Sequence, residues 1–593
     1  MTTVTAMISY FRSRTVRPQL NQAVPIPRTM TLSWCNWMIW VQSTLLSVGI
    51  VGLTPGISTA QTPQNPEINV GIVQQFGSNP EDEIRLEPLA GDRLTLKFET
   101  GGQAQTLTTN QVKLDVVMQP LPQPRLQEWV VLSSHRSFES AEDSAKQWRD
   151  RGIEAEIAQP ETWQVWAKRD VYHLPLLRRL LLKNLQAEGL TTTYLDSRVM
   201  QQEAKAAFVA NGYRYHRDRF EILSANRRIR VIKGQGRRNQ RLYGGDLRLQ
   251  PNAYGAYTLV NQVPIETYLR GVVPHEIGLS APRSTIEAQA ILARTYALRN
   301  LRRFSIDDYE LCADTHCQVY WGLGGAASVT DQAIAATRGL VLTYQNELID
   351  ALYSSTTGGV TAAFSHVWNG PDRPYLKPVI DSVQSIWDLT SKPLSDELNF
   401  RTFIALEQGF NEVGWDPFRW RVASELPQIT QDLKEYLQNR QHPLANFNQV
   451  LRLQVTKRAP AGRVQQLTIQ TDMGAIQLEK DEVIRALSAP RSLLFYLDPI
   501  YQSPQQPLAS DGPAGPAAED TSANANALPL NPVIKGYAFV GGGLGHGVGM
   551  SQTGAYNLGA LGWPNERILK FYYPATELQP ISDTTVFWRD PGH

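Results

Sequence analysis

The sequence has no excess of either charge: 57 Lys and Arg stand against 56 Asp and Glu in 593 residues. That balance gives neither the basic footprint of a nucleic-acid binder nor a polyacidic tail, so any polymer bound must be recognised by local surface design. Cysteine is scarce. Of the three, Cys35 lies in an apolar leader, which leaves Cys312 and Cys317 as one pair. Six glycines crowd Gly541–Gly549, but no Lys-Ser or Lys-Thr follows them, which argues against a nucleotide-phosphate loop. Acidic residues are missing altogether before Glu67.

That acid-free start carries Arg12, Arg14, Arg17 and Arg28, then the uncharged run Trp34–Leu53. A basic flank before such a run reads as a signal peptide or a single membrane anchor spanning residues 1–60. Ser58-Thr59-Ala60 would suit cleavage before Gln61. Under either reading the basic flank stays inside and the bulk of the chain is exported.

The length predicts two to four structural units. Residues 61–124 form a β-rich part, with Pro120, Pro122 and Pro124 expected to end it. Residues 125–198 show strand, helix, two strands, helix, strand. This order resembles the SPOR domain, a module that binds glycan strands lacking stem peptides; an unrelated α/β insertion is the alternative. Gln201–Gly212 is expected as a connecting helix within a linker region at 199–228. Strands resume in the core at 229–385, and a strand-rich continuation or insertion follows at 386–500. Residues 501–531, rich in Pro, Ala, Ser, Asn and Gly, read as a flexible linker. Residues 532–580 return to the core.

The most informative stretch is Val263–Leu298. It places Glu276 in a Pro- and Gly-punctuated turn between an apolar segment and a helix. Ser284-Thr285-Ile286-Glu287 reads as a capping box. Ile286, Ala290, Ala293, Ala297 and Leu301 recur at helical spacing, so the helix is expected to be amphipathic. By spacing alone Glu276 is either a catalytic acid or an ordinary loop carboxylate. Glu266 and Glu287 are weaker candidates, one in a preceding turn and the other used by the cap.

Five motifs then occur in order: VPIETYLRGVVPHEIG, EAQAILARTYAL, CADTHCQVYWG, SSTTGGVTAAFSHVW with PYLKPV, and GHGVGMSQTGAYNLGALG. Together they resemble the SpoIID/LytB family of sporulation and amidase-enhancer proteins. The resemblance implies an exported, strand-rich α+β protein acting on peptidoglycan. Catalytic members are lytic transglycosylases of peptide-free glycan, and their acid matches Glu276. The matched motifs also bring His275, Arg294, Tyr296, Gln318 and Tyr320 to the substrate side. The loop Ser355-Thr356-Thr357-Gly358-Gly359 and the later His546, Ser551 and Gln552 belong to the same set. His366 and Trp368 read either as groove walls or as core.

A lytic transglycosylase needs one carboxyl, because the sugar's own 6-hydroxyl replaces water as the nucleophile. No cofactor is expected for that chemistry. Some family members hold zinc through two cysteines and a His upstream of them, but no His lies between Arg299 and Leu311. Cys312, His316 and Cys317 therefore read as a partial structural zinc site, or the two cysteines as a disulfide. The non-enzymatic alternative is a peptidoglycan-binding enhancer whose partner is a cell-wall amidase.

Overall fold

The computed structural model describes residues 65–190, 192–234, 239–439, 442–502 and 533–589. The expected leader, and all of the expected linker except Tyr501 and Gln502, lie outside them. Among the described residues, no helix is long and apolar enough to cross a membrane. The architecture is α+β and rich in strands.

Alternating apolar residues build the first sheet. Ile68, Val70 and Ile72 are buried along Glu67–Phe76, and Leu94 and Leu96 along Leu94–Thr100. Seven strands lie in the order Leu311–Cys312, Glu67–Phe76, Tyr257–Pro264, Asp246–Pro251, Phe220–Ser224, Leu94–Thr100, Gln103–Thr109. The edge strand is parallel and sets Cys312 opposite Gly71.

A second sheet is organised on one long strand, Val112–His135, paired with Tyr194–Ala210. The three prolines expected to end a unit lie inside this strand. They are tolerated because pairing is irregular there, shifting between Pro120 and Arg125. The expected connecting helix is also absent: Gln201–Ala210 is strand, followed by Tyr213–His216. Ala206, Phe208 and Ala210 enter the hydrophobic core from it, so cross-strand pairing outweighs the local helix propensity. Strands and helices between Val112 and Ala210 do follow the strand-helix-strand-strand-helix-strand order. The two outer strands nevertheless extend beyond this unit in the second sheet, where Val112–His135 also pairs with Glu83–Pro88 and Tyr194–Ala210 with Tyr213–His216.

The helix Arg283–Arg299 is buried on every side rather than amphipathic. Ile286, Ala290, Ala293 and Ala297 face one apolar cluster, while Ala288, Ile291, Leu292 and Tyr296 face another. A helix between two cores has no solvent face to mark with charge. Leu301 falls beyond its end. The capping box does not form either. Pro282 is the N-cap, Ser284 lies inside the first turn, and Glu287 binds Arg283 and Asn565 instead.

Past this helix, the chain builds a three-stranded sheet of Trp420–Glu425, Ile534–Gly541 and Phe495–Tyr501. A meander, Val450–Arg458, Val464–Thr471 and Gly474–Glu479, completes the second core. Ile534–Gly541 delivers the Gly-His-Gly segment to the loop at 355–359, where Thr356 and Leu544 pair. Beside them Tyr353–Ser354 runs parallel to Met550–Ser551.

Candidate functional site

Glu276 is the last residue of the helix Ile265–Glu276, not a residue of a free turn. Pro274 sits inside that helix, which ends two residues later, and Gly278 follows at φ +77°. The side chain is partly buried. Val319 N–H donates to Oε1 at 2.8 Å. Gln552 Nε2 donates to the Glu276 carbonyl at 3.1 Å and makes a longer contact of 3.5 Å with Oε2. The Tyr353 hydroxyl is the third donor. Burial raises the carboxyl above its ordinary pKa, and these three hydrogen bonds oppose the rise by favouring the charged form. An acid so balanced can give a proton and later take one back.

The donors are themselves held. The Tyr268 hydroxyl donates to Gln318 Oε1 at 3.2 Å, and Gln318 Nε2 donates to the Tyr353 hydroxyl oxygen at 3.0 Å. Burial, and next the Glu276 charge, push the Tyr353 hydroxyl well above its usual pKa. It therefore keeps its proton and remains a donor. Gln318 and Val319 directly follow Cys317, which is bonded to Cys312 as a disulfide. His316, within the loop that the pair closes, is exposed. Two thiols joined to each other offer no thiolates, so Cys312, His316 and Cys317 as placed do not fit a zinc ligand set. Among the described residues no other His, Cys, Asp and Glu group is arranged for a metal.

His275 is partly buried, with its ring 5.1 Å from that of Trp321. Burial and, less strongly, Arg241 lower its pKa, which keeps the imidazole neutral. His546 accepts from Val548 N–H at 3.0 Å, and its ring lies 5.0 Å from Trp368. Burial lowers its pKa to about 4. Trp368 itself belongs to the core, at 7% exposure.

Three residues from the motifs lie in the interior instead. Arg294 has a fully buried side chain and holds Glu266 through Nε and Nη2, both at 2.8 Å. Tyr320 is fully buried, and its hydroxyl donates to Asn261 at 2.8 Å. Tyr296 is buried next to the Arg303 guanidinium. The loop at 355–359 is almost wholly buried and crosses the Gly-His-Gly segment closely. A Cβ on Gly358, at φ +73°, would stand 2.6 Å from the Gly542 carbonyl carbon. Ser551 is buried and caps the helix Gln552–Ala560.

Sequence reasoning missed Tyr353, although it stands just ahead of the recognised loop. It also missed Glu412, which accepts from Thr357, Gly359 and Ser551. Nothing local to Glu412 marks it.

Residues 253–344 match the stage II sporulation protein (SpoIID) family model. Among curated relatives, the amidase enhancer of Bacillus subtilis is 27% identical over 324 residues, covering 52% of this chain and 40% of the relative. Stage II sporulation protein D of Bacillus subtilis is 33% identical over 165 residues, 24% of this chain and 46% of the relative. The chain carries a domain of the SpoIID/LytB family. An uncharacterized protein of Brachyspira hyodysenteriae is also similar, 24% identical over 330 residues, 54% of this chain and 68% of the relative. The chain thus spans less than half the length of the two named relatives. The SpoIID match contains Glu276, Gln318, Val319 and the disulfide, while Tyr353 and Gln552 lie outside it. A separate match to a domain of unknown function covers residues 362–512 and contains Glu412.

Proposed function

We propose that this protein cuts peptidoglycan glycan strands as a lytic transglycosylase, with Glu276 as the single acid and base. The observation that carries the reading is a carboxyl raised by burial yet facing three donors. Protonated Glu276 gives its proton to the glycosidic oxygen as the C1–O bond breaks. The resulting carboxylate then takes the proton of the 6-hydroxyl as that oxygen bonds to C1, which closes a 1,6-anhydro ring. No water is consumed, and Glu276 ends protonated, ready for another turnover. The side chains hydrogen-bonded to Glu276 are an amide and a phenol, neither of them a second acid, as a one-carboxyl reaction requires. Gln552 and Tyr353 stabilise the carboxylate that forms midway. The disulfide and the basic, acid-free leader support an exported setting, outside the cytoplasmic membrane.

The similarity to an amidase enhancer favours a second reading, a peptidoglycan-binding stimulator of a cell-wall amidase. The two separate in one experiment on intact peptidoglycan with an added amidase, using wild type and Glu276→Gln. A transglycosylase releases anhydro ends once the amidase has stripped the peptides, and the substitution abolishes them. An enhancer releases none but accelerates the amidase equally in both forms.

A further inference from the structure

Glu412 lies far from Glu276 in sequence, is completely buried, and accepts on both oxygens. Thr357 donates to Oε1 through its N–H at 2.6 Å and its hydroxyl at 2.9 Å; Gly359 N–H donates to Oε2 at 2.8 Å. The Ser551 hydroxyl also donates to Oε1. The strand Tyr353–Ser354 enters the Thr357–Gly359 loop, and its parallel partner Met550–Ser551 leads directly to Gln552. One carboxylate therefore joins the loop that follows the first strand to the last residue of the second, next to the phenol of Tyr353 and the amide of Gln552 that face Glu276.

The loop's carbonyls are held from the same side of the chain. Arg463 donates to Thr357 O at 2.9 Å and Val360 O at 3.0 Å, and Arg419 donates to Gly358 O at 2.9 Å. Behind Glu412 stands Asp381, also fully buried, whose Oδ1 accepts from Asn411 and Tyr572. Burial and, next, the neighbouring Glu412 charge push the Asp381 carboxyl well above its usual range. A buried carboxylate is costly unless its lone pairs are filled, and here they are. Asp381, Glu412, Arg419 and Arg463 all lie within residues 362–512, the segment matched only to a domain of unknown function.

We propose that Glu412 is a positioning residue for the reaction at Glu276, and that the 362–512 segment serves to fix Tyr353 and Gln552 against that acid. The kinetic part rests on the glycan-cleavage reading; the geometric part does not.

The test uses the full chain and Glu412→Gln, whose amide N–H would confront donors. Amide exchange read by mass spectrometry should quicken in 355–359 and 550–553 together. On peptide-free glycan, kcat should fall about 10- to 100-fold with a smaller change in KM, as when a supporting hydrogen-bond partner is removed. Losing donors to the carboxylate should also move the Glu276 limb of the kcat–pH profile upward, which a general loss of stability does not do. If Glu412→Gln does not fold, Ser551→Ala removes one leg together with the cap of the helix Gln552–Ala560, and should quicken exchange at 550–553, leave 355–359 unmoved and give part of the pH shift. Wild type that does not cut glycan, with exchange quickened in both segments, would leave the clamp standing and remove the cleavage reading. Unchanged exchange at 550–553, or a fall in kcat with the pH limb unmoved, overturns the proposal.

Discussion

Gln318 Nε2 donates to the Tyr353 hydroxyl oxygen at 3.0 Å, and the hydroxyl in turn donates to Glu276. The amide fixes which way the phenol points, because the oxygen's accepting side is taken. A residue beside the disulfide thereby controls a proton that faces the acid.

Tyr353→Phe removes one of three donors to the carboxylate. The Glu276 limb of the activity profile should rise by on the order of one pH unit, with kcat down about tenfold. A kcat–pH series on wild type and variant checks this; a limb that stays in place contradicts it.

Stability should respond to Glu276 with the opposite sign from activity. Its folded pKa is raised, so the folded state binds the proton more tightly than the unfolded chain does. Stability is then lost as pH rises through the folded pKa. Glu276→Gln carries no such loss, so at pH 7 its Tm should exceed wild type by about 2 °C, and the gap should close below pH 4. Thermal melts at several pH values read it.

Arg294 makes a bidentate pair with Glu266 and has a fully buried side chain. Arg294→Met should cost about 3 kcal/mol in denaturant unfolding, chiefly by stranding the partner charge. Replacing Glu266 by Leu in the same chain should recover much of that loss. A substrate role without structural weight would leave unfolding unchanged.

Much of the centre could be read from sequence, and the reason is local. Glu276, Gln318 and Gln552 sit in short recognisable motifs, and the structure sets them within reach of one another or of a common phenol. What was hidden depends on distant pairing. Glu412 meets Thr357 from 55 positions away, and nothing in NEVGWD foretells it. The same limit explains the fold. The strand Val112–His135 runs through three prolines because Tyr194–Ala210 pairs along it, and the same pairing makes the Ala- and Gln-rich Gln201–Ala210 strand in place of the expected helix. The buried helix Arg283–Arg299 looked amphipathic because its small residues line one face, while a second core behind it leaves no trace in spacing.

The disulfide closes a short loop directly before Gln318 and Val319. Replacing both cysteines by Ser should lower stability by about 2 kcal/mol on loop entropy and lower activity further through the slackened Val319 contact. Reductant should reproduce the effect on wild type and leave the double variant unmoved.

The central claim is tested most directly by digesting peptide-free glycan with the full chain and weighing the products. Cleavage through Glu276 predicts fragments ending in 1,6-anhydro sugar, one water lighter than hydrolysed ends, and none from Glu276→Gln. Reducing ends in place of anhydro ends, or equal cutting by Glu276→Gln, would contradict it.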